Sequence, residues 1–245
     1  MNGRLVERAA VNPAQRGEML ALLRSHFEGV TVEQFERDLD EKSWVVLIED
    51  IEGRIRGFST LVLWHETFGN RSLPIVFSGD TIMDRAAWGT TTLLRAWFDA
   101  VQHLTLREAG GKVYWLLSCS GYRTYRFLPV FWREFWPRCD AATPSRTHAL
   151  MDHLAAERFG RFYDRDRGLV CFPHAARLRD HLCQVPAGRL RDPHVAFFVT
   201  RNPGWRQGNE LVCLCDVSRA NLNRAGRRVI EAKPGTNDAA RSDMA

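Results

Sequence analysis

Within residues 75–83 (IVFSGDTIM) a single residue carries a charge, Asp80, and it follows a glycine. A carboxyl group held in an apolar strand loses hydration, its pKa rises, and it becomes a base able to work near neutral pH. The same aspartate can instead satisfy backbone donors at a bulge, which a glycine inside a strand invites. Cys119 lies in a small-residue stretch, Ser118-Cys119-Ser120-Gly121. It is either a thiol nucleophile that takes an acyl group or an inert buried thiol. His65-Glu66 close another apolar run, where they can handle a proton or simply mark an exposed strand end.

Metal chemistry is not expected. Cys171-x-x-His174, His181-x-Cys183 and Cys213-x-Cys215 supply donors, but their spacings do not repeat. A structural zinc site needs four converging ligands. The sequence also lacks a phosphate-binding Walker loop, a Gly-x-Ser-x-Gly elbow, a His-Glu-x-x-His pair and a kinase signature.

The chain has 245 residues, 45% of them hydrophobic, enough for one sizeable core. Six cysteines at irregular intervals, and first residues lacking an apolar leader, suggest free thiols in a reducing cytoplasm. No apolar run reaches the roughly 18 residues of a membrane span. The net charge of +5 is a mild excess spread along the chain. It suits an anionic partner but forms no dense basic run, so nucleic acid is not the expected ligand.

These residues need elements to place them. A strand is expected over 4–10. Asn12-Pro13 caps a helix over 14–27, and Thr31 with Gln34 opens a second over 32–40. Strands over 44–48, 54–64 and 75–83 form a meander. A long amphipathic helix spans 87–107, ended by Gly110-Gly111. A buried strand (112–117) follows, then an aromatic helix (122–136) bent by Pro129. Residues 140–190 read as helical, with helices over 147–162 and 172–183. Strands over 194–200 (HVAFFVT) and 211–217 (LVCLCDV) are expected to form a terminal hairpin, followed by a basic helix over 219–231 and a disordered tail over 232–245. One domain over 1–231 is expected.

The order β-α-α-β-β-β-α-β-α, a helical insertion (140–190) and β-β resembles that of the GNAT acyltransferases. The resemblance covers roughly residues 4–217. It implies an α/β (α+β) fold: a mixed, mostly antiparallel central sheet with flanking helices. It also implies an acyl-coenzyme A donor, acetyl-coenzyme A or another, whose pyrophosphate is gripped where the third meander strand runs into the next helix. A helix start offers unpaired N–H groups and the positive end of its dipole to such an anion. Here that segment carries Ile82, Met83, Arg85, Trp88, Gly89, Thr90 and Thr91.

Aligning Leu93-Leu94 with the family's aliphatic pair puts Arg85 on the family arginine. The family's three glycine positions then fall on Ala86, Trp88 and Thr90, with Gly89 one place out of register. The family's proton-donating tyrosine position falls on a phenylalanine within 131–136, so the resemblance offers Tyr125 in its place, one or two turns earlier. The acceptor implied is a small-molecule amine. The weak glycine pattern also suits an acyl-carrier-protein donor, which needs less of the pyrophosphate grip. The same departures fit a GNAT-like domain that binds without catalysing. The insertion is a candidate lid over the acceptor side.

Overall fold

The computed structural model describes residues 1–106 and 112–232. Its elements in order are β1 (Asn2–Glu7), α1 (Pro13–His26), β2 (Phe27–Glu28), α2 (Val32–Asp40), β3 (Trp44–Glu49), β4 (Ile55–Phe68), β5 (Arg71–Met83), α3 (Thr92–Leu104) and β6 (Tyr114–Cys119). They continue with α4 (Tyr122–Phe131), β7 (Phe135–Trp136), α5 (Ser145–Phe159), β8 (Tyr163–Asp164), β9 (Leu169–Val170), β10 (Arg177–Leu178), α6 (Pro193–Arg201), β11 (Glu210–Asp216) and α7 (Arg224–Glu231). The expected Gly110-Gly111 helix stop and the tail from 233 onward lie outside the described residues.

The local signals act as chemistry requires. Asn12 accepts from the Gln15 N–H while the Gln15 side chain accepts from the Asn12 N–H, a reciprocal capping box with Pro13 at the first helical position. Thr31 accepts from the Gln34 N–H and starts α2. Strands β3, β4 and β5 form the expected meander, joined between β4 and β5 by a hairpin at Gly69-Asn70.

One sheet of nine strands runs β1-β3-β4-β5-β6-β11-β9-β8, with β7 also paired to β11. Its pairs are antiparallel except β5 with β6, so the sheet is mixed and mostly antiparallel. On one face α3, α4 and α6 cover a large cluster that includes Trp97, Phe98, Tyr125, Trp132 and Phe198. On the other, α1 and α2 cover Val45, Leu47 and Phe58. There α5 covers Ile75, Phe77, Leu116 and Val212. No helix of the described residues is long and apolar enough to cross a membrane.

Several expectations are corrected. Residues 194–200 are not a strand: they lie in α6, because Asp192 accepts from the His194 N–H and Pro193 occupies the first turn. Val195 and Phe198 are its buried residues, a helical spacing of three. The terminal hairpin is therefore replaced by a helix and a strand, and β11 returns beside β6. Residues 172–183 form no α-helix; they contain β10, which pairs with β2, and a single 3-10 turn at Asp180–Leu182. The helix expected from 87 begins at Thr92, because Arg85–Ala87 form a separate 3-10 turn and Gly89 takes φ +86°. The aromatic helix stops at Phe131, with Pro129 inside it, and β7 follows.

Candidate active site

Strands β5 and β6 pair in parallel from Ile75–Tyr114 to Ser78–Leu117 and then part, although β5 continues to Met83 and β6 to Cys119. A cavity of about 550 Å³ opens there, lined from β5 by Ser78 to Met83 and from the other side by Ser118, Ser120 and Gly121. That volume suits a small-molecule site. Two hydrogen bonds tie its floor together: the indole N–H groups of Trp97 and Trp115 both donate to Ser78 Oγ, at 3.0 and 2.9 Å.

A β-bulge shapes one end. Ser59 pairs with Thr81 but Leu61 pairs with Ser78, so Gly79 and Asp80 together oppose Thr60. A Cβ on residue 79 would lie 2.6 Å from Lys42 Cε and 2.5 Å from Thr60 Oγ1, so glycine is what lets Lys42 lie there. Lys42 is buried, its Nζ donating to the Asp38 carbonyl at 2.7 Å and lying 5.9 Å from the Phe77 ring centre. Asp38, Lys42, Asp80 and Glu210 all line the cavity.

These four groups are displaced from their ordinary protonation behaviour. Burial pushes the Asp80 carboxyl up to about 6, helped by the charges of Asp38 and Glu210 and opposed by Lys42. Burial also raises Asp38 and Glu210. The Ser118 and Ser120 hydroxyls restrain Glu210, with Ser120 Oγ donating at 3.2 Å. Lys42 is lowered by burial and by Arg158. Three raised carboxyls and a lowered amine around one cavity form an acid–base constellation.

The opposite end is built by the chain running from β5 into α3. Ile82, Met83, Trp88, Gly89 and Thr90 line the cavity; Arg85 and Thr91 do not. Thr90 Oγ1 donates to the Ala87 carbonyl, and the Thr91 side chain makes no capping bond to α3. The indole of Trp88 donates to the Met83 carbonyl at 2.8 Å. Arg85 lies over the ring at 5.6 Å and Arg123 at 5.0 Å. Arg123 also rests on Tyr122 at 4.7 Å, donates to the Leu182 carbonyl at 2.9 Å and lines the cavity. Burial holds its pKa below the ordinary value.

The insertion supplies the roof. Arg158, Phe159, Phe162 and Phe172 line the cavity. Arg158 reaches Glu41 at 2.7 Å and stacks over Phe77, while Phe159 meets Phe77 edge-on at 5.9 Å.

Tyr125 is not brought to this cavity. It is fully buried, its hydroxyl donates to the Pro137 carbonyl at 3.0 Å, and burial raises its pKa far above the ordinary value. Tyr122 is the tyrosine of α4 on the cavity wall. Cys119 is buried 3.9 Å from Cys213, with its thiol pushed well up by burial. Glu66 pairs with His153 of α5 at 3.0 Å.

Sequence reasoning missed Asp38, Lys42, Arg123 and Glu210. Lys42 carried a signal: it is one of only three lysines in an arginine-dominated chain. Glu210 and Arg123 reach the site through long-range packing, which leaves no local pattern.

No protein-family model matches the chain, and no curated protein matches it. Solved structures do. A tetramutant of a Bacillus halodurans protein matches at 15% identity and TM-score 0.41, covering 59% of this chain and 98% of its own. A GNAT family N-acetyltransferase from Escherichia coli, solved with coenzyme A, matches at 18% identity and TM-score 0.37, covering 52% and 68%. Glucosamine-6-phosphate N-acetyltransferase from Arabidopsis thaliana matches at 16% identity and TM-score 0.35, covering 52% and 88%. The fold of this chain is GNAT-like in its element order: the helix pair after β1, the antiparallel meander, and the helix, strand and helix that follow keep the order β-α-α-β-β-β-α-β-α.

Proposed function

We propose that this chain transfers an acyl group from a thioester, carried by coenzyme A or an acyl carrier protein, to the amine of a small molecule. The observation that carries the reading is the polarity of one cavity. Its bulge end gathers three carboxyls, Asp38, Asp80 and Glu210, against the cations Lys42 and Arg158, an excess of acid that suits a cationic amine; its helix-start end offers Arg123 and the first turn of α3, which suit a phosphate. Asp80 accepts a proton from the acceptor's ammonium group. The freed amine attacks the thioester carbonyl, the C–N bond forms as the C–S bond breaks, the departing thiolate takes a proton from the Tyr122 hydroxyl, and the second proton of the new N-protonated amide returns to the Tyr122 phenolate. Ile82, Met83, Gly89 and Thr90 border the donor, and the phenylalanines of the insertion enclose an apolar acyl chain or acceptor body.

A binding module without turnover is the second reading. It rests on Trp88, whose bulk stands where the family pattern has glycine.

The test is thermal unfolding with acetyl-, malonyl- and long-chain acyl-coenzyme A, followed by an amine-acylation assay with whichever binds. A ligand at about 100 times its Kd adds roughly 2.7 kcal/mol, a shift of a few degrees. Replacing Thr90 and Thr91 by glutamate is expected to abolish the shift. A shift without acylation of any amine supports the binding module. No shift with any coenzyme A thioester leaves the carrier-protein donor, tested by acyl transfer from a loaded carrier.

A further inference from the structure

Residue 139 leads into the insertion and residue 194 leads out of it, and the fold brings the two together. Cys139 Sγ lies 3.3 Å from His194 Nδ1. One ligand atom each from Cys139, Asp140 and His194 fall within 4.8 Å of one another. We propose that Cys139, Asp140 and His194 bind a divalent zinc ion that clasps the neck of the insertion, with water as the fourth ligand.

The donor set fits. Thiolate, imidazole and carboxylate are zinc's preferred ligands, and three protein donors leave one position open. With Zn–S near 2.3 Å and Zn–N near 2.0 Å, a tetrahedral site sets sulfur and nitrogen about 3.5 Å apart. The observed 3.3 Å is close to that spacing.

The surroundings hold the ligands. Arg138 grips both oxygens of Asp140 through Nε and Nη2, fixing the carboxylate while leaving it lone pairs for a metal. The His194 ring packs on Phe135 and Tyr125, at 5.5 and 6.4 Å. Asp192 pairs with Arg126 nearby. Arg126 and Arg138 are thus balanced by Asp192 and Asp140, and loss of the Cys139 thiol proton adds one negative charge for the dication. Binding forms a Zn–S bond and releases that proton to solvent.

The clasp lies outside the acyl-transfer cavity, since none of the three residues lines it. It joins the two chain segments that hold the roof.

The experiment uses cobalt as an optical stand-in for zinc, titrated into the full metal-free chain. One equivalent is expected to produce a sulfur-to-cobalt charge-transfer band that zinc displaces, and zinc is expected to raise the unfolding temperature. Cys139→Ser is expected to remove the band, and His194→Ala to weaken cobalt more than about tenfold. If either variant fails to fold, Asp140→Asn takes its place, with weaker cobalt binding expected. No charge-transfer band in the wild-type chain overturns the proposal. So does a band that survives Cys139→Ser, which would assign it to another of the five remaining thiols.

Discussion

The two ends of the cavity differ in how they are held. At the bulge end, charged groups are packed into the fold itself: Lys42 is buried, and Asp80 and Glu210 are raised by burial. At the helix-start end, the cationic groups lie on aromatic faces, with Arg123 between Trp88 and Tyr122 and Arg85 over Trp88. The first arrangement fixes protonation and position. The second leaves a guanidinium able to meet an anion while its flat face stays covered. Under the proposed function, this difference divides chemistry from binding.

The largest effect that would break this contrast is at Asp80. Asp80→Asn is expected to lower turnover by about 10²–10⁴-fold, the usual range for a lost general base, with donor binding unchanged. Its pH behaviour follows from the raised pKa of about 6. Activity should fall as pH drops through that value. Stability runs the other way. The folded pKa lies above the unfolded one, so the contribution is full below about 4 and is lost as pH rises through 6. At neutral pH the ionised group costs stability, so Asp80→Asn should raise Tm by a few degrees. A variant that loses both activity and Tm would make Asp80 a structural group.

Arg123→Gln sharpens the other end. Loss of one charged contact to a phosphate is expected to weaken the donor by roughly tenfold, read as a change in KM for the thioester with kcat nearly kept. An equal loss in acceptor affinity would deny the division. The smallest effect is expected at the roof. Phe172 is 37% exposed, so Phe172→Ala should raise KM for an apolar substrate by only a few-fold and leave Tm within a degree or two.

Legibility followed the range of the forces. Asn12-Pro13 and Thr31 act within three residues, and both helix starts were readable. Gly79 announced the bulge and Asp80 beside it. The run HVAFFVT misled because its β-branched and aromatic residues suit a strand, yet Asp192-Pro193 before it dictated a helix. Among site residues, Ile82, Met83, Trp88, Gly89 and Thr90 line the cavity because the turn into α3 is local. The start of the aromatic helix at residue 122 was readable, but helical phase puts Tyr122 on the cavity wall and Tyr125 in the core, and that choice depends on long-range packing.

Position along a strand has parity, since neighbouring side chains face opposite sides. On β4 the even positions Phe58, Val62 and Trp64 share one face throughout. On β5 that face holds Ile75 and Phe77 before the bulge but Ile82 after it, so the strand changes from odd to even at Gly79-Asp80. The switch interrupts the ladder and leaves the Thr60 hydroxyl buried without a hydrogen-bond partner. Deleting one residue here would heal the ladder and reassign which side chain stands beside Lys42. The smoother strand and the bulged cavity wall are alternatives separated by a count of one.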